Sequence, residues 1–263
     1  MIKGKVTGMI IAGNWKMNMD RQGAAALTSR LVQWRSEANN TVSMVLFPPS
    51  ILIDVVSASL TNAGNGGGIL MGGQDCHHDA SGAHTGDIAA PMLSEAGCSW
   101  VLVGHSERRQ NHGEDSALVC RKAQSAVDAG ISPMICVGET LSDCDNGHAQ
   151  DVVAEQIRAS LPDGLAPDRF AIAYEPVWAI GTGKVADNAD VEAMHNHIRA
   201  LLISINDGYK DVPILYGGSV KADNAAGLLA LDNVNGTLVG GASLKAEEFI
   251  AIAEAASALS NIE

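Results

Sequence analysis

The feature that most constrains this chain is an alternation kept up from one end to the other: a short apolar run, then a longer amphipathic stretch. Runs at residues 9–13, 42–47, 69–72, 100–103, 133–137, 170–174, 213–216 and 237–239 are rich in β-branched residues and apolar at almost every position. Short strands that are apolar on both faces belong to a parallel sheet covered on each side. The stretches between them carry helical periodicity. Over 116–129, Val119, Ala123, Ala126 and Val127 fall on one face and Gly130 closes the helix. In the last stretch Phe249, Ile252, Ala253 and Ala256 share a face. Ser243 is the expected N-cap there, and Glu247 and Glu248 sit near the positive helix end.

Strand–helix alternation predicts an α/β fold, and eight units favour a closed (β/α)8 barrel, read as a single domain over residues 1–263. An open doubly wound sheet would need a glycine-rich fingerprint after the first strand, but the residues there are Gly13-Asn14-Trp15-Lys16. No linker divides the chain, and the glycine-rich run 64–68 reads as a surface loop. Aromatic residues make up only 4% of the chain, so aliphatic side chains must do most of the packing.

Charge narrows the partners. A formal net charge of -13 would be repelled by nucleic acid and by anionic membrane surfaces, so neither is expected as a partner. It also means that an anionic ligand needs locally concentrated positive potential. The cysteines are five, an odd number, without a C-x-x-C pair, which points to a reducing compartment and a cytoplasmic location. Residues 1–8 lack an apolar signal region, and no apolar run approaches the ~20 residues of a membrane span.

The informative polar residues follow the carboxyl ends of strands, which in a barrel share one mouth. Asn14 and Lys16 follow the first strand, His105 to Arg109 the fourth, and Glu175 the sixth. The seventh and eighth are followed by Gly217-Gly218-Ser219 and Gly240-Gly241-Ala242-Ser243. Glycine lets a ligand approach backbone N–H groups, and helix starts attract anions. One Gly-Gly-Ser is ordinarily just a turn, but two such Gly-Gly loops on adjacent strands point considerably more strongly to a phosphate site. Taken alone, Glu175 would read as a solvated strand-end carboxylate and His105 as a structural histidine.

Five runs change that reading: Gly13-Asn14-Trp15-Lys16-Met17-Asn18, Gly104-His105-Ser106-Glu107-Arg108-Arg109, Tyr174-Glu175-Pro176-Val177-Trp178-Ala179-Ile180-Gly181-Thr182-Gly183-Lys184, Tyr216-Gly217-Gly218-Ser219 and Leu238-Val239-Gly240-Gly241-Ala242-Ser243-Leu244. In order and approximate spacing they resemble the triosephosphate isomerase family over nearly the whole chain. The resemblance implies exchange of dihydroxyacetone phosphate and glyceraldehyde 3-phosphate through an enediolate, with no cofactor and no metal. It makes Glu175 the base and His105 the electrophile, neutral as is established for the family's catalytic histidine. Lys16 supplies positive charge, Asn14 orients Lys16, and Glu107 lies near it. Backbone N–H groups of Gly181, Ser219, Gly240 and Gly241 grip the phosphate.

The resemblance extends to conformation and assembly. Residues 176–186 resemble the family's closing lid, hinged at Pro176 and at 184–186. Residues 73–87 resemble a loop that interdigitates between subunits of a homodimer, with Thr85 reaching the partner's site and Arg108 forming ion pairs at the interface. The chain departs from the family pattern at Asp75, His84, Asp87 and Val185. Asp75 is expected to place a charge at the interface, compensated by His77 or a water. His77, His78, His195 and His197 are not expected to bind metal. Three rival readings share these motifs: an isomerase of a four-carbon sugar phosphate, an aldolase using Lys16 as a Schiff base, and a phosphate-binding protein without turnover.

Overall fold

The first strand shows why the chain closes on itself. Ile10 and Ala12 pack in one cluster with Val45, Phe47, Trp100, Leu102, Met134, Cys136, Ala171, Ala173, Leu215 and Leu238, all of them strand residues. The intervening Ile11 packs in a second cluster with helix residues such as Leu31, Val56 and Phe249. Period-two alternation in the strands therefore fills a barrel interior and a helix-facing layer at once, which requires apolar residues at nearly every strand position.

A computed structural model of the protein describes residues 6, 8–37, 42–62, 68–179 and 186–260. Its strands are β1 (Ile10–Asn14), β2 (Ser43–Phe47), β3 (Leu70–Gly73), β4 (Trp100–Val103), β5 (Ser132–Val137), β6 (Ala171–Tyr174), β7 (Ile214–Tyr216) and β8 (Gly236–Val239). They form a closed parallel barrel in sequence order, with β1 hydrogen-bonded to both β2 and β8. Each expected strand boundary lies within one residue of the observed one. The outer layer holds α1 (Arg21–Glu37), α2 (Ile53–Asn62), α3 (Ala90–Glu95), α4 (Ser106–His112), α5 (Ser116–Asp128), α6 (Leu141–Asp145), α7 (Ala149–Ser160), α8 (Asn188–Ile205), α9 (Ala225–Leu229) and α10 (Ala246–Ser260).

The expected helix ends hold in one case and shift in another. α5 starts at an Asp115 cap that accepts the Leu118 N–H, and Gly130 follows it at φ 79°. Ser243 does not cap α10. It lies in a 3-10 turn, Gly241–Leu244, its hydroxyl donates to the Gly240 carbonyl at 2.7 Å, and α10 begins only at Ala246. The loop after β8 thus makes a tight turn before the helix, which apolar periodicity cannot register. Of the expected loop at 64–68, only Gly68 is among the described residues.

One buried group ties the outer layer to acid stability. His195 on α8 is fully buried beside Tyr174, its Nδ1 is 3.0 Å from the Asn233 carbonyl, and its Nε2 has no hydrogen-bond partner among the described residues. Burial pushes its pKa down to about 4, with the Asn233 carbonyl opposing. The unfolded chain therefore binds a proton near its ordinary pKa that the folded chain refuses, and stability falls as the pH drops from about 6.5 towards 4. The contribution is on the order of 3 kcal/mol. Urea unfolding at fixed protein concentration is expected to lose that amount across the window, and His195→Gln is expected to flatten the loss. An unaltered acid slope in the variant would count against this assignment.

Candidate active site

Asn14 ends β1, and Lys16 follows two residues later with a backbone φ of 51°. The Asn14 Oδ1 accepts the Lys16 N–H at 3.0 Å. Lys16 Nζ lies 2.6 Å from Glu107 Oε1, so the expected neighbour of Lys16 is in place. A Cβ on Gly240 would be 3.7 Å from Lys16 Cε, which puts the lysine arm alongside the loop after β8.

His105 and Glu175 come from β-strand ends far apart in sequence and meet at 2.9 Å, Nε2 to Oε1. Only 5% of His105 and 2% of Glu175 are exposed, so their interaction takes place in a nearly dry setting. His105 is the N-cap of α4 and accepts the Glu107 N–H on Nδ1 at 3.2 Å. Ser106 donates its N–H to Glu175 Oε2 at 2.9 Å. Both donors belong to the otherwise unsatisfied first turn of a helix.

The electrostatics follow. Burial pushes the Glu175 carboxyl up, but His105, the Ser106 N–H and Lys16 outweigh it and hold the group below the ordinary carboxylate range. Burial lowers the basicity of His105, and the adjoining Glu175 carboxylate raises it, with a net upward direction. The amide on Nδ1 acts against a second proton, and its geometry is that of a neutral imidazole carrying its hydrogen on Nε2.

These residues line one cleft of about 1010 Å³ at the carboxyl mouth, together with Gly217, Gly218, Ser219, Gly240 and Gly241. Ser219 is steadied by Asn224, whose side-chain amide donates to its carbonyl at 3.0 Å. Gly181 and residues 180–185 of the expected lid, including Val185, lie outside the described residues. The described beginning of that segment is pinned. Trp178 Nε1 and Tyr174 Oη donate to Glu139 Oε1 at 2.7 and 3.1 Å, and the Val177 N–H reaches the Glu139 carbonyl at 3.1 Å. Burial pushes Glu139 up in pKa against those hydrogen bonds.

Arg108 and Thr85 do not reach the cleft. Thr85 is exposed, and Arg108 pairs with Glu114 at 2.6 Å and with Asp75 at 2.9 Å. Lys122 joins them, at 2.8 Å from Asp75 and 2.6 Å from Glu114. The compensation expected from His77 or water thus comes from Lys122 and Arg108, two cations against two carboxylates. His77 instead stacks on His78 and His84, with centroids 4.3 and 3.9 Å apart. His77, Asp79 and His84 bring potential metal-ligand atoms within 4.8 Å of one another. However, His77 Nδ1 accepts the Asp79 N–H at 3.0 Å and His84 Nε2 pairs with Asp79 at 2.9 Å. The His77 and His84 rings are stacked with 30° between their planes.

Sequence reasoning missed Gln74, Glu114, Lys122, Gly138 and Glu139. The first three act on backbone or on each other, and no motif marks them. Gly138 follows β5, and a Cβ there would collide with the Glu175 carbonyl; on Gly217 it would meet Glu175 Cγ at 2.9 Å. Glu175 therefore sits in a slot kept open by two residues without side chains.

A parallel barrel with buried, hydrogen-bonded ionisable groups gathered at its carboxyl mouth is a (β/α)8-barrel enzyme. The family model described as triosephosphate isomerase matches residues 9–256, and the chain belongs to that family. It is 49% identical over 250 residues to the triosephosphate isomerase of Granulibacter bethesdensis, covering 94% of this chain and 99% of that one. The Acidiphilium cryptum enzyme of the same name is 50% identical over 256 residues, covering 94% and 98%. A crystal structure of triosephosphate isomerase from Bartonella henselae superposes with a TM-score of 0.83 at 41% identity, covering 94% of this chain and 98% of that one.

Gly217→Ala is expected to push the Glu175 carboxylate aside and lower kcat/KM for triose phosphate isomerisation by about tenfold or more. Steady-state kinetics decide it: wild-type values would mean that the slot has slack.

Proposed function

We propose that this chain interconverts dihydroxyacetone phosphate and D-glyceraldehyde 3-phosphate by proton transfer through an enediolate. The observation that carries the reading is the 2.9 Å approach of His105 Nε2 to Glu175 Oε1 inside a cleft that Lys16 and the glycine loops also line. An anionic carboxylate in a dry site is a base without a hydration shell to shed. Glu175 takes a proton from the carbon next to the carbonyl and returns it to the adjacent carbon. His105 gives its Nε2 hydrogen to the carbonyl oxygen as negative charge develops there and takes the hydrogen of the neighbouring hydroxyl in return, so the two oxygens exchange one proton as the two carbons do. Lys16 offsets the charge of the enediolate and the phosphate, and Asn14 holds Lys16 in place.

The N–H groups of Ser219, Gly240 and Gly241 form the phosphate grip in this reading, joined by Gly181 from the lid over 176–186. The His105–Glu175 hydrogen bond fills the space between the two groups, so substrate must part them on binding. Closure of a lid over the bound molecule excludes water, which protects an enediolate able to expel its neighbouring phosphate. No step calls for a cofactor or a metal.

The same proposal extends to assembly and setting. The chain acts as one catalytic domain over 1–263, as a cytoplasmic homodimer, in glycolysis and gluconeogenesis, with neither nucleic acid nor membrane as partner. Several features support this. Met17 is 96% exposed directly beside Lys16, and Ile51 is 78% exposed; such large apolar side chains at the mouth suit burial against a second copy. Thr85 and Arg108 belong to that contact surface. All five cysteines are free thiols, and among the described residues no helix is long and apolar enough to cross a membrane.

A coupled assay in both directions tests the reading, with a four-carbon ketose phosphate as comparator. Turnover of the triose phosphates is expected to exceed that of the comparator, and the reverse preference would overturn the substrate assignment. Glu175→Asp withdraws the carboxylate by one methylene and is expected to lower kcat about 100-fold or more. Undiminished turnover in that variant would remove Glu175 from the role of base.

A further inference from the structure

We propose that Gln74 is a positioning residue for the Lys16 ammonium, acting through the Lys16 backbone without touching substrate; the inference rests on the role given to Lys16 above. Lys16 has a φ of 51°, in the left-handed region where a Cβ crowds the following carbonyl. A residue other than glycine stays there only where its surroundings over-determine it. Two side chains do so. Asn14 Oδ1 takes the Lys16 N–H at 3.0 Å, and on the other side Gln74 Nε2 donates to the Lys16 carbonyl at 2.9 Å.

The same Gln74 nitrogen donates to the Phe47 carbonyl at 2.9 Å, and that carbonyl also accepts the Trp15 N–H at 3.1 Å. One amide group, directly after β3, therefore spends both its hydrogens tying the end of β2 to the loop after β1. The base of this clamp is itself fixed, because the next residue, Asp75, is ion-paired with Lys122 and Arg108. Backbone φ sets the direction of the Cα–Cβ bond. If Lys16 relaxed towards the ordinary right-handed region near about −60°, its arm would swing away from Glu107 and from the Gly240 loop. The side chain at 74 must be a double donor of this length: a carboxylate offers only acceptors to two carbonyls, and a thioether offers no hydrogen.

A double-mutant cycle separates this role from a merely structural one. Gln74→Met keeps the length and removes both donors. At a concentration where all variants sediment like wild type, it is expected to lower kcat/KM for D-glyceraldehyde 3-phosphate by about tenfold or more. In a Lys16→Ala background the same substitution is expected to change the residual kcat/KM by less than about twofold, because nothing remains to be positioned. An equal fall in both backgrounds, or no fall in the first, would overturn the inference. Where Gln74→Met does not fold, Gln74→Glu, of the same shape without the donors, carries the same expectations. A Lys16→Ala variant with wild-type kcat/KM would overturn the role of Lys16 itself and this inference with it. An impaired Lys16→Ala beside an unaffected Gln74→Met would overturn the inference alone.

Discussion

The site depends on two amide hydrogens at the start of α4. A helix begins with donors that its own turns cannot use, and here one is aimed at the Glu175 carboxylate and the other at the His105 imidazole. The first favours an anionic carboxylate in a place where burial alone would neutralise it. The second occupies the nitrogen facing the helix and leaves the hydrogen on the nitrogen facing the cleft. One turn of backbone thus prepares both partners for opposite tasks. Arg109 secures that turn, donating to the Gly104 carbonyl at 2.8 Å and to the Cys136 carbonyl at 3.2 Å, so the position of α4 is referred back to β4 and β5.

The large negative charge of the chain sharpens the importance of its few cations. Lys16 shares the lining of the cleft with Lys221 and Lys245 and is already paired with Glu107. Arg108 and Lys122 are spent on Asp75 and Glu114, in a cluster whose charges balance two against two. Breaking such a partly buried set from one side leaves an uncompensated charge behind. Asp75 is therefore better described as a member of an ion cluster than as an isolated burden.

Much of this architecture is legible in the sequence. The eight strands can be read from apolar runs because both faces of a covered sheet are buried, and the site residues can be read because barrel topology sends strand ends to one mouth. Glu175 and His105 gain their meaning from the surrounding runs, since neither residue type is informative alone. What escapes has a common cause. Gln74, Gly138 and Glu139 act on backbone atoms or on residues distant in sequence, so their local sequence shows no period and no motif. The start of α10 escapes for a related reason: the turn that delays it is made by hydrogen bonds, and apolar spacing reports only on buried faces.

The contact between His105 and Glu175 has a bearing on selectivity. Imidazole and carboxylate satisfy each other at 2.9 Å, so whatever enters must offer both of them better company. In the proposed reading, a bare oxyanion such as inorganic phosphate can settle among the glycines yet has nothing to trade for that bond. A molecule carrying a carbonyl beside a hydroxylated carbon can engage both groups at once. Discrimination at this mouth then begins as an exchange of partners, before any question of how well the remainder of the molecule fits.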